Sequence, residues 1–189
     1  MKLRWCFLFF LSLFSIASAG AQVGIYGKLD LTHFTNNTNK ASEWFYGPGI
    51  GIYDDFLHVG PVQLGADLRG SYLIGSNDRY RSVLGGVRVA VKPPLLPILP
   101  YAEGLIGVAG TKSNQSGSFS TANSVSFSNT FGTKFAYQIL GGVDWAILPH
   151  VDFRVVEVGY GRASAVSSET NAPSSSMTSI SSGLVLRLF

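Results

Sequence analysis

The sequence predicts an all-β protein, an eight-stranded antiparallel transmembrane β-barrel of up-and-down connectivity. Three observations lead there. The N-terminus reads as an export signal, and no later segment is apolar enough to be a transmembrane helix. Charged residues make up only 13% of the chain, about half the ~25% usual in globular domains. Apolar residues recur with period two in eight successive segments, the pattern of a strand with two unlike faces.

The chain begins with a positive n-region, Lys2 and Arg4, and an apolar run from Phe7 to Ile16 broken only by serines. Ala17-Ser18-Ala19 and Ala19-Gly20-Ala21 are both small-x-small cleavage sites. Residues 1–21 are therefore read as a signal peptide and residues 22–189 as one barrel domain. The apolar run is shorter than the ~20 residues of a spanning helix. Cys6 sits in the apolar part of the signal rather than at a cleavage site, so it is no lipid anchor, and the mature chain is left without cysteine or disulfides. Loss of Lys2 and Arg4 takes the formal net charge from +3 to +1, which gives no case for a nucleic-acid partner. An exported, charge-poor chain rich in glycine and aromatics points to a bacterial-type outer membrane.

The segments follow in order. The first sets Val23, Ile25, Leu29 and Leu31 against Gly24, Tyr26, Lys28, Asp30 and Thr32. The second, about Tyr46 to Phe56, sets Ile50 and Ile52 against Gly49, Gly51 and Tyr53. The third opposes Val62, Leu64, Ala66, Leu68, Tyr72 and Ile74 to Gln63, Asp67, Arg69 and Ser71. Val83, Val87, Val89 and Val91 oppose Arg88 and Lys92 in the fourth, and Ala102, Ile106 and Val108 oppose Tyr101 and Glu103 in the fifth. The sixth is the most regular, with Phe135, Tyr137, Ile139, Val143, Trp145 and Ile147 against Lys134, Gln138 and Asp144. In the seventh, Phe153 and Val155 share one phase while Val158 and Tyr160 fall in the other. One extra residue near Val156 repairs this and brings Arg154 and Glu157 to one inner face, so the pattern predicts a β-bulge there. The eighth runs from about Thr178 to Phe189, with Leu184, Leu186 and Leu188 outward and Val185 and Arg187 inward.

The connections alternate in character. Asn36 to Glu43, Gly75 to Asp78, Lys112 to Asn129 and Ala163 to Met177 are polar loops, mostly long; between them lie the Pro-containing turns Asp55 to Pro61, Lys92 to Pro97, and Leu148-Pro149-His150. Transmembrane barrels place short turns in the periplasm and long loops outside. In a bilayer all backbone groups must pair, so the eighth strand is expected to close on the first, with Phe189 at its end.

The signal peptide, the eight segments and the terminal Phe189 together resemble the small outer-membrane β-barrel family that includes the membrane domain of OmpA and OmpX. The resemblance covers the whole mature chain and rests on spacing and alternation. Within it Phe153–Arg162, FRVVEVGYGR, resembles the penultimate strand of some members. It implies that Phe189 acts as the C-terminal signal for the barrel-insertion machinery, with periplasmic chaperones as earlier partners. Phe189 stands out of phase with the three leucines, a departure from that family's pattern. No peptidoglycan-binding domain such as OmpA carries is expected, because the sequence ends with the eighth segment.

An eight-stranded barrel is just wide enough for side chains to fill it. The inward charges are Lys28, Arg69, Arg88, Lys134 and Arg154 against Asp30, Asp67, Glu103, Asp144 and Glu157, equal in number. An unpaired buried charge costs on the order of several kcal/mol, so these groups are expected to form a paired network, with Arg187 a further candidate. Two readings of that network stay open, a salt-bridged plug that fixes register and a narrow path for ions or small or hydrophobic molecules.

Catalysis finds little support. His33, His58 and His150 are the only histidines, none has a spaced Ser and acid on its face, and the His-x-Ser-Asn pattern of lipid A deacylases is absent. No metal-ligand cluster appears, and no cofactor is expected. Phe56, Tyr101, Trp145 and Phe153 near the short turns, and Phe34, Tyr72, Phe135 and Tyr160 near the long loops, are expected to form two interfacial girdles. Trp44, Phe45 and Tyr46 suit membrane anchoring or a sugar-binding platform. The expectation is a monomeric, non-enzymatic outer-membrane barrel with a structural, adhesion or ligand-docking role through its outer loops. Its expected surroundings are outer-membrane lipid and lipopolysaccharide, with an extracellular ligand of unknown kind.

Overall fold

The computed structural model describes residues 22–36, 42–76, 78–113, 132–165 and 175–188. The signal peptide, most of the expected loop from Lys112 to Asn129, and Phe189 lie outside them. Eight strands follow in order: β1 (Gln22–Asn36), β2 (Ser42–Val59), β3 (Val62–Ile74), β4 (Asp78–Val91), β5 (Ile98–Ser113), β6 (Gly132–Leu148), β7 (Val151–Ala165) and β8 (Ser175–Arg187). Each pairs antiparallel with the next, and β8 pairs with β1, closing the barrel. Closure leaves no strand edge whose amides would meet lipid.

The alternation sorts the side chains inside out relative to a soluble protein. Leu29 is 72% exposed and Ile50 69%, whereas Arg88 and Arg154 are 0% exposed. That is the partition of a barrel whose solvent is hydrocarbon and whose charges fill the lumen.

The bulge lies where the phase change in the sequence placed it. Across β6, Asp144 pairs with Arg154 but Val143 pairs with Val156. Across β8, Gly183 pairs with Arg154 and Ser181 with Glu157. One extra residue at Val155–Val156 therefore keeps both Arg154 and Glu157 buried in the lumen.

The first short turn differs from expectation. β2 does not end near Phe56 but continues to Val59, with a register shift between Asp55 and Leu57 that leaves Phe56 as an extra residue. The turn itself is only Gly60-Pro61, and Gly60 takes φ +61°, a conformation that suits glycine. Asp55 is thus a buried strand residue rather than a turn residue. β2 also starts at Ser42, earlier than Tyr46.

Four backbone hydrogen bonds extend the sheet at the short-turn rim. Lys92 N donates to Pro61 O at 2.7 Å, Ala146 N to Pro97 O at 2.8 Å, Arg187 N to His150 O at 2.8 Å and Leu188 N to Val23 O at 2.8 Å. Each bond extends a ladder past the last paired residues of its strands.

Candidate functional site

Because inward positions alternate along every strand, β3 to β7 each present charged side chains to the same central space. There they form a closed ring of alternating sign. Glu157 Oε1 accepts from Arg69 Nη1 at 2.9 Å, and Arg69 Nη2 reaches Glu103 Oε2. The other Glu103 oxygen accepts from Arg88 Nη1 at 2.7 Å. Arg88 Nη2 lies 3.4 Å from Asp144 Oδ2. Asp144 grips Arg154 through Nε at 2.9 Å and Nη2 at 3.2 Å. Arg154 Nη1 returns to Glu157 Oε2 at 3.2 Å. Three guanidiniums and three carboxylates thus bridge the lumen, each charge flanked by two of the opposite sign. The fork geometry of arginine suits such doubly bonded positions.

The remaining expected charges attach to this ring. Lys28 Nζ lies 2.7 Å from Glu157 Oε1 and 2.9 Å from Asp30 Oδ1. Ser71 Oγ donates to Asp30 at 2.9 Å, and Asp67 accepts from Arg69 Nε at 2.9 Å. Lys134 keeps its place in β6 opposite Ala109 and Ala165, but its side chain lies outside the described residues.

Tyrosines line the ring: the alternation sets Tyr26, Tyr53 and Tyr101 on the charge-bearing faces, but does not show their stacking on the guanidiniums. Tyr101 donates to Glu157 Oε2 at 2.7 Å, and Tyr26 to Asp67 Oδ2 at 2.8 Å. Arg88 stacks over Tyr53 and Tyr101 at 4.2 and 4.0 Å, and Arg154 over Tyr26 and Tyr101 at 4.2 and 4.8 Å. Each of these tyrosines has a glycine as its ladder partner: Gly24 for Tyr53, Gly51 for Tyr26 and Gly142 for Tyr101. A Cβ on Gly142 would lie 2.5 Å from the Tyr101 hydroxyl oxygen. The glycines therefore open the flat space in which the rings lie.

Two expectations about aromatics are corrected here. Tyr101 is a lumen residue, 5% exposed, and not part of a membrane girdle. Phe34 also turns inward, with its ring 5.0 Å from Phe45 and 4.8 Å from Tyr80. Both share a phase with inward charges, Glu103 and Thr32's neighbour Asp30, and phase decides facing. Tyr72, Phe135, Tyr160, Phe56 and Trp145 do face outward. The Trp44-Phe45-Tyr46 triplet splits, with Phe45 buried and its neighbours exposed.

Among the described side chains the lumen charges are not equal in number. Asp55 and Asp152 are buried lumen residues that the sequence reading passed over, and Arg187 joins Asp152 at 2.8 Å near the short-turn end, apart from the ring. Against Lys28, Arg69, Arg88, Arg154 and Arg187 stand Asp30, Asp55, Asp67, Glu103, Asp144, Asp152 and Glu157, two more carboxylates than cations among the described side chains. Asp55 is the poorly served one. Its Oδ1 stands 3.6 Å from Arg88 Nε, and neither oxygen accepts a hydrogen bond among the described residues.

Toward the long-loop end the ring gives way to a polar space of about 20 Å³, bounded by Lys28 and Asp30 on one side and by Tyr80 and Met177 on the other. That volume suits a water molecule or two rather than a solute. Tyr80 reaches across to Met177 Sδ at 3.8 Å, and Phe34 and Phe45 pack beside it.

The histidines stay apart from one another. His33 stacks on Trp44 with centroids 4.6 Å apart, His58 is exposed at the end of β2, and His150 is exposed in the last short turn. Among the described residues no group of three or more His, Cys, Asp or Glu side chains is placed to hold a metal ion.

No protein-family model matches the chain, and no curated protein matches it in sequence. Solved structures do match in shape. Neisserial surface protein A (NspA) superposes with a TM-score of 0.61 at 16% identity, covering 88% of this chain and 98% of that one. The outer membrane enzyme PagL gives 0.52 at 16% identity, over 82% and 97%. Ail, the attachment invasion locus protein of Yersinia pestis, gives 0.50 at 9% identity, over 89% and 99%.

Proposed function

We infer that this chain, which has the fold of the small eight-stranded outer-membrane β-barrels, resides in the bacterial outer membrane. From that premise we propose that the barrel is a closed one, working outside itself in a structural, adhesion or ligand-docking role through its extracellular loops. The ring from Glu157 through Arg69, Glu103, Arg88, Asp144 and Arg154 carries this reading, because an ion crossing the lumen would have to break buried ion pairs in which each charge has two opposite neighbours. The small volume above the ring agrees with it.

The fold itself serves proteins of different kinds, PagL being an enzyme and Ail an attachment protein by name, so the choice rests on this chain's own residues. A non-enzymatic role is supported by the setting of His33. Its ladder partners are Trp44 and Thr178, with no carboxylate among them. Phe189 as the signal for insertion machinery, attended by periplasmic chaperones, belongs to the same proposal.

The test uses protein refolded from urea into detergent micelles, run heated and unheated on SDS gels and then added to planar bilayers. Heat-modifiable migration without conductance is expected. Steady conductance by the folded form would overturn the closed lumen, and folding in buffer without detergent would overturn the membrane assignment.

A further inference from the structure

We propose that the outward face of β7, β8, β1 and β2 at the long-loop end binds the phosphorylated headgroup of an outer-leaflet glycolipid. Along the β1–β8 seam the outward pairs run Ile25 with Leu186, Leu29 with Ser182, and Leu31 with Ile180. One step further the chemistry changes, to His33 opposite Thr178 and then Thr35 opposite Ser176. The change extends to both flanking strands. On β7, Tyr160 stands opposite Thr178 and Arg162 opposite Ser176. On β2, Trp44 stands opposite His33.

The height fits a headgroup. From Val23, the first outward residue of β1, to His33 is about 33 Å along the strand and about 25 Å along the membrane normal at a tilt of ~40°. The apolar band of such barrels is ~25 Å tall, so this row begins where hydrocarbon gives way to headgroups. The sign of the charge fits as well. At this end the outward charged side chains among the described residues are Arg79, Arg81 and Arg162, all exposed and all cationic. Glu43 lies on the lumen phase and accepts from Ser76 N at 2.7 Å.

Arg162 offers a planar fork matched to a phosphate. Thr178 and the His33 ring add donors beside it, and the exposed rings of Trp44 (56%) and Tyr160 (52%) bracket the row where amphipathic aromatics settle between acyl chain and headgroup. A ligand there must lie beside the barrel wall at the depth of the lipid, which favours a lipid headgroup over a soluble anion. The proposal needs the outer-membrane location only, and it stands whether or not the loops dock a ligand.

The experiment offers bisphosphorylated lipid A and fully dephosphorylated lipid A to the refolded full chain in mixed micelles, and counts retained lipid by native mass spectrometry. The wild type is expected to retain the phosphorylated form about tenfold better. Arg162→Ala should abolish most of that preference, Arg162→Lys should keep part of it, and His33→Ala should lower it severalfold. Lys92→Ala removes the same charge at the short-turn end and should change nothing. Equal retention of the two lipids by the wild type overturns the proposal even if Arg162→Ala does not refold. So does full retention by Arg162→Ala, displacement of the lipid by soluble phosphate alone, or release of acyl chains from the probe, which would make the row hydrolytic.

Discussion

Arg154 and Glu157 stand three positions apart in β7, yet both point into the lumen and meet there, with Arg154 Nη1 3.2 Å from Glu157 Oε2. In a regular strand such residues lie on opposite faces. The extra residue at Val155–Val156 restores the phase, so that Glu157 and every inward residue after it reach the lumen. Deleting Val156 should therefore straighten β7 without turning any side chain over. The variant is expected to refold to a heat-modifiable form within about 2 kcal/mol of wild type. Deleting Val158 instead carries Tyr160 inward and Gly161 outward, and no heat-modifiable band is expected. If both deletions refold alike, the bulge does not set the phase.

Glu157 is the most heavily bonded carboxylate of the lumen, accepting from Lys28, Arg69, Arg154, Tyr101 and Ser181. Replacing it by glutamine leaves three buried cations without their shared counter-charge. The expected loss is about 3–5 kcal/mol, read from urea unfolding in lipid vesicles by tryptophan fluorescence. A loss below about 1 kcal/mol would mean that the ring does little to hold the barrel.

Asp55 should behave in the opposite way. Among the described side chains the lumen carries more carboxylates than cations, and neither Asp55 oxygen accepts a hydrogen bond. Asp55→Asn removes a buried negative charge whose nearest ion-pair partner, Arg88 Nε, is 3.6 Å away. Stability is expected to hold or rise slightly, by up to about 1 kcal/mol. Asp144→Asn breaks a doubly bonded pair with Arg154 and should cost about 3 kcal/mol or more. The same unfolding measurement compares them, and equal losses would refute the distinction.

Gly142 and Gly27 test the tyrosine seats. A methyl group on Gly142 collides with Tyr101 at its hydroxyl end, whereas one on Gly27 meets nothing within 4 Å. Gly142→Ala should push Tyr101 off Glu157 and cost about 1–3 kcal/mol. Gly27→Ala should stay within about 0.5 kcal/mol of wild type. Unfolding midpoints of the two variants decide the matter.

Facing was legible because alternation is local: Lys28 and Asp30, or Asp67 and Arg69, share a face in any strand that contains them. The bulge in β7 was legible for the same reason, since a phase change can be read along one strand. Asp55 escaped because an expected turn began there, while β2 keeps its ladder to Val59 by carrying Phe56 as an extra residue. Asp152 shares the phase of Arg154 and could have been read. Tyr101 and Phe34 were assigned by their height near strand ends although their phase pointed inward; at the Tyr101 position Gly142 supplies the room that makes the inward seat habitable.

The sequence by itself determined the facing of the paired charges, where β7 gains a residue, and that the outer wall is apolar. Only the tertiary structure decided who meets whom. Lys28 of β1 finds Glu157 of β7 across 129 positions of chain, and Glu103 of β5 settles between Arg69 of β3 and Arg88 of β4. Those pairings arise because closure and stagger bend the sheet until inward side chains from non-adjacent strands converge on one axis, and no periodicity within a single strand encodes that distance.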